Sequence, residues 1–128
     1  MAHLTVSATT RSYPDHPYQS IANAILSARY QLSLVVVGTT RAQSLNQEAR
    51  GKTYVPDVLS FPLTATMGEI YICLPRAYAQ ANNYNHTKSD HVAFLFIHGL
   101  LHLKGYEHGA TMERAERRYC ARFGLCTS

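Results

Sequence analysis

Asp90 to Lys104 reads as one long helix, and its composition constrains the fold more than any other stretch. Phe94, Leu95, Phe96, Ile97, Leu100, Leu101 and Leu103 leave it apolar almost all round. A helix with no polar face is expected to be buried. Two histidines, His98 and His102, interrupt the apolar surface, and His108 follows shortly after. Four residues along a helix turn through roughly 400° and rise about 6 Å, so His98 and His102 leave from the same face. Gly105 can end the helix in a left-handed conformation and let the chain return His108 toward the pair.

Three imidazoles with one position left open form the donor set of a catalytic zinc site, whereas structural sites close with four protein ligands. Two histidines at this spacing would more often be structural than metal-binding. The apolar setting shifts that balance, because a buried imidazole needs a partner. The spacing equals that of the metzincin protease motif, H-E-x-x-H-x-x-G-x-x-H, at every position but one. That one is the glutamate serving as general base, and Gly99 stands there. A peptidase of this pattern lacks its base. Glycine inside a helix costs about 1 kcal/mol relative to alanine, so Gly99 has a local reason. Either it leaves room for an anionic group beside a metal, or it lets the helix pack closely. Glu107 is a candidate to orient a ligand, and equally a solvated loop carboxylate. His3, His16, His86 and His91 have no ligand spacing with the triad and are expected mostly at the surface.

The 128 residues suffice for one domain spanning 1–128 with a proper core. A 46% hydrophobic and 16% charged composition excludes wholesale disorder. No basic leader with a small-residue cleavage site is present, and Val92 to Ile97 is too short to cross a bilayer, so no membrane role is expected. The cysteines, Cys73, Cys120 and Cys126, are odd in number and form no C-x-x-C pair, which suits reduced thiols in a cytoplasm. The net charge of +4 is ordinary for solubility, yet compatible with RNA as a partner.

Elements alternate along the chain. Strands are expected at Leu4–Ala8, Gln31–Val37, Val58–Phe61 (closed by Pro62) and Glu69–Cys73. Helices are expected at Pro17–Arg29, from a Thr40/Gln43 capping box to Gly51, from Pro75, from a Ser89 or Asp90 cap to Lys104, and at Thr111–Phe123. The fold class is α+β: a small, roughly four-stranded mixed sheet packed against about five helices, with a zincin-like metal helix.

His98-Gly-x-Leu101-His102-Leu103-x-Gly105-Tyr106-x-His108 closely resembles the signature of the YbeY family, bacterial metal-dependent endoribonucleases. Leu45-Asn46-x-x-x-Arg50-Gly51-Lys52, followed by Val58-Leu59-Ser60-Phe61-Pro62, is similar to a second block of that family. Gly68-Glu69-Ile70-Tyr71-Ile72-Cys73 is similar to a third. The likeness runs in order through residues 31 to 124. It implies a zinc-dependent, single-strand-specific endoribonuclease of ribosomal RNA maturation, notably the small-subunit 3′ end, and of ribosome quality control. It also implies zinc ligands at His98, His102 and His108, a functional arginine at Arg50, and the small ribosomal subunit or an associated protein as partner. Pro56, Glu69 and Glu107 depart from the family pattern, and none touches a ligand position.

The expected chemistry is metal-assisted cleavage of a phosphodiester in single-stranded RNA. A zinc ion, or another divalent transition metal that accepts imidazole, would polarise a phosphate oxygen or activate water. Arg50, joined by Lys52, would hold the phosphate, since a guanidinium grips it bidentately. Taken alone, Arg50 near a helix end would be only a dipole partner. Exposed tyrosines can stack on unpaired bases, although packing is the simpler use of nine tyrosines. The competing readings are a zinc metallopeptidase-like hydrolase and a non-catalytic ribosome assembly factor with a structural metal.

Overall fold

A computed structural model describes residues 1–125. Cys126 lies outside the described residues, while Cys73 and Cys120 are buried. The order is β1 (His3–Ala8), α1 (Tyr18–Ile25), β2 (Gln31–Val37), α2 (Thr39–Arg50), β3 (Val58–Thr64), β4 (Met67–Cys73), α3 (Leu74–Gln80), a 3-10 turn (Ala81–Tyr84), α4 (Lys88–Lys104) and α5 (Ala110–Arg122). The four strands form one mixed sheet in the order β1-β2-β4-β3. β1, β2 and β4 run parallel, and β3 returns antiparallel to β4 as an edge strand.

Alternation along the strands divides the sheet between its two faces. Leu32, Leu34 and Val36 of β2, with Ile70 and Ile72 of β4, face the main core together with α1 and α4. Val35, Val37, Tyr71 and Cys73 face the other side, where Ala42 of α2 covers them. The expectation of a buried α4 holds: Val92, Phe96, Ile97, Leu100 and Leu101 are fully inside. Phe96 meets Tyr18 of α1 edge-on, ring centroids 5.3 Å apart. Removing each such side chain from water contributes roughly 1.5–3 kcal/mol.

Gly99 lies where α4 presses on the sheet. A Cβ there would come within 2.9 Å of Ser60 Oγ and 3.1 Å of Ile70 Cδ1. The Ser60 hydroxyl also donates to the Gly99 carbonyl at 3.1 Å. The glycine therefore serves close helix packing rather than room for an anion.

Several expected boundaries move, each for a local reason. α1 ends at Ile25 rather than Arg29, because Leu26 turns extended and tucks into the core. α2 starts at Thr39, its N-cap Gly38 offers no side chain, and the expected capping box is absent. Gln43 donates to the Thr53 carbonyl instead, at 2.7 Å. β3 continues through Pro62 to Thr64, which an edge strand tolerates because its outer N–H groups have no ladder partner. α4 is capped by Thr87, whose hydroxyl accepts the Asp90 N–H at 3.0 Å, not by Ser89 or Asp90.

Candidate metal centre and its groove

His98 and His102 project from the last turns of α4, which stops where Gly105 adopts φ 108° and a left-handed cap. The returning chain brings His108 to them. One ligand nitrogen from each of the three histidines lies within 4.8 Å of the others. These are the three histidines the sequence singles out.

The hydrogen bonds fix how the rings face. His102 Nδ1 lies 3.1 Å from the Tyr106 carbonyl oxygen, an obligate acceptor, so Nδ1 carries the proton. His98 Nδ1 lies 2.6 Å from the Glu116 carboxylate and donates likewise. With both rings in these neutral tautomers the two Nε2 atoms are lone pairs, and they face each other at 3.1 Å. Two such nitrogens at that distance repel unless a metal ion or a shared proton lies between them. Two nitrogens on a tetrahedral zinc, each at about 2.05 Å, stand about 3.3 Å apart. The donor set and its spacing therefore fit a zinc-sized divalent ion held by His98, His102 and His108. Burial and the neighbouring His98 hold His102 below the ordinary imidazole value, which keeps it the neutral ligand a metal needs.

Glu116 of α5 takes the role for which Glu107 was the sequence candidate, and Glu107 is exposed. Glu116 is 7% exposed and orients the His98 ring through its Nδ1. One signal for it was available. It falls four residues after Met112 on the inward face of α5, where a carboxylate requires a partner.

A groove of ≈ 570 Å³ opens over the three histidines. Its floor includes the consecutive residues Val58 to Phe61, so the backbone edge of β3 rather than one face forms it. Arg50, the last residue of α2, and Tyr54 line the same groove. The structure thus brings Arg50 and the histidines into one space from opposite sides of the sheet edge. Lys52 is exposed and is not among the lining residues.

A part-buried polar chain supports the wall of this groove, and it corrects the expectation of a surface His91. His91 is 0% exposed. Gln80 donates from its side-chain amide to Asp57 Oδ2 at 2.8 Å and to His91 Nε2 at 2.9 Å. His91 Nδ1 therefore bears the proton and donates to His86 Nδ1 at 3.0 Å. A second proton on His91 would point at an amide N–H with nothing to accept it. Burial, with His86 alongside, pushes His91 down to about 4, against a weaker upward pull from Asp57. Burial pushes His86 down as well, against Asp90.

The folded value lies below the unfolded one, so this contribution to stability is complete above pH 6.5. It fades as pH falls toward 4. Between pH 7 and pH 5 His91 alone is expected to remove about 2 kcal/mol. Urea unfolding at both pH values should show a smaller acid loss for His91→Phe than for the wild type. Equal losses would show that His91 is not the titrating group.

The Endoribonuclease YbeY family profile matches residues 5–123. Endoribonuclease YbeY of Spiroplasma citri is 38% identical, the match covering 72% of this chain and 72% of that protein. The Helicobacter pylori protein of the same name is 40% identical, covering 70% of this chain and 66% of that protein. A solution structure of a Thermotoga maritima protein shares the fold, with a TM-score of 0.63 over 93% of this chain and 86% of that one, at 24% identity. A profile match over nearly the whole chain, on a fold that gathers its three histidines around one point, leaves one assignment: the chain belongs to the YbeY endoribonuclease family.

Proposed function

We propose that this chain is a zinc-dependent endoribonuclease that cuts single-stranded RNA during ribosomal RNA maturation. Its proposed substrate is the small-subunit rRNA 3′ end, with a further part in ribosome quality control. The carrying observation is that a three-imidazole donor set and Arg50 line one groove. A bound zinc, or another divalent transition ion, would supply Lewis acidity toward a phosphate oxygen. Arg50 would grip the phosphate and stabilise the charge that builds on it. Glu116 and the Tyr106 carbonyl hold the two α4 imidazoles in the tautomer that offers Nε2. Lys52, two residues beyond Arg50 and outside the groove, would meet a flanking phosphate. The proposed reaction would take place in the cytoplasm, at the small ribosomal subunit or a protein bound to it. No helix among the described residues is long and apolar enough to cross a membrane.

A peptidase reading finds little support. The position of the missing glutamate, Gly99, faces Ser60 and Ile70 with no space for a side chain. Asp57 lines the groove, but both its oxygens are engaged, one by the Val58 N–H and one by Gln80. Metal-loaded protein is expected to cleave single-stranded RNA, to leave duplex RNA and peptides intact, and to stop on chelation. Peptide cleavage without RNA cleavage would replace this reading with the peptidase one.

A further inference from the structure

A second recess, of ≈ 360 Å³, lies beside the metal centre on its α5 side. Four residues, Asp57, Tyr84, His98 and His108, line both it and the groove, so the two spaces meet at the histidines. Their linings differ in kind. The groove has Arg50, whereas the recess has an apolar floor of Phe94, Leu95 and Met112. Its polar wall is mainly acidic, with Asp57, Glu113 and Glu116 against Arg117. A phosphate is repelled by such a wall and drawn to Arg50. A flat, neutral, partly apolar group suits the recess, whose size falls within the roughly 300–1,000 Å³ range of small-ligand pockets.

Tyr84 stands at the junction of the two spaces. It closes the 3-10 turn, which Asn85 ends in a left-handed conformation at φ 57°. Its ring is backed by Phe94 at 5.6 Å and His91 at 4.7 Å between centroids, yet it remains 47% exposed. A rigidly backed aromatic ring with an open surface is a stacking platform for a nucleobase.

We propose that the recess is a nucleobase subsite: it takes one unpaired base from the nucleotide next to the scissile phosphate, stacked on Tyr84, while the backbone stays with Arg50. This rests on the RNA-cleaving reading above and adds a physical origin for single-strand preference. A base held in a duplex cannot turn into the recess without breaking its pair.

The test uses metal-loaded wild type, Tyr84→Ala and Tyr84→Phe on one labelled single-stranded RNA, intact or with a single abasic nucleotide placed in turn on each side of the cut. Wild type should lose about ten-fold in kcat/KM with the abasic nucleotide at one adjoining position only. Tyr84→Ala should lose a similar factor on intact RNA and almost nothing more on that abasic RNA. Tyr84→Phe should restore the abasic penalty. Fluorescence anisotropy with chelated protein should rank the Kd values in the same order. Independent, multiplying losses, or a Tyr84→Ala protein indistinguishable from wild type, would overturn the subsite. Failure of wild type to cut intact RNA would instead overturn the RNA-cleaving reading beneath it.

Discussion

His102→Ala is expected to abolish RNA cleavage while leaving the fold intact. His102 supplies one of the two lone pairs that face each other at 3.1 Å, and its removal leaves two imidazoles for an ion that needs three. Lewis acidity worth several kcal/mol in the transition state goes with the ion, so activity should fall at least about a thousand-fold. The helix should survive. The core contacts of α4 come from Phe96, Ile97, Leu100 and Leu101, and its end is set by the backbone of Gly105, not by the imidazole. Elemental analysis should find one zinc per wild-type chain and almost none in the variant. Added zinc should raise the wild-type Tm through linkage and leave the variant's unchanged. Cleavage by the variant at the wild-type rate would trace the nuclease to a contaminant.

The histidine cluster was legible in the sequence because its geometry is local. His98 and His102 share a helix face, and Gly105 lies close enough to return His108, so the spacing alone nearly determines the cluster. The burial of α4 was legible for the same reason, since its apolar residues occupy every face. What the sequence hid is what tertiary packing supplies. Glu116 reaches His98 across 18 residues of chain, whereas Glu107, next to His108 in sequence, is left in solvent. His91 resembled its surface neighbours in composition. It is buried because α3 and the 3-10 turn close over α4 and bring Gln80 and His86 to its two nitrogens. Asp57 and Tyr84 come to the centre from separate segments with no common spacing. The boundary differences have a similar source: Gln43 had two possible partners, and Thr53 rather than a helix cap obtained it.

Arg50→Ala is expected to separate the phosphate side of the groove from the metal side. Metal content should match wild type, because no ligand and neither carrier of ligand orientation, Glu116 or the Tyr106 carbonyl, belongs to α2. Cleavage should fall by about 10²–10³, the usual loss when one donor to developing charge is removed. Arg50→Lys should recover only part of it, since an ammonium keeps the charge but not the two parallel hydrogen bonds of a guanidinium. Arg50 has a second possible role. It occupies the last turn of α2, before the left-handed Gly51, where a cation steadies the carbonyl end of the helix dipole. That role is worth about 0.3–1 kcal/mol of stability, and a lysine fulfils it as well as an arginine. The two roles therefore predict opposite patterns. A dipole partner gives a small fall in Tm, full rescue by lysine and unchanged cleavage of RNA by the folded protein. A phosphate clamp gives near-normal Tm, partial rescue by lysine and a large loss of kcat/KM. The opening of the groove on Arg50, across the β3 edge from His98, His102 and His108, favours the second pattern, because a residue serving only its own helix end has no need to share a space with the ligands.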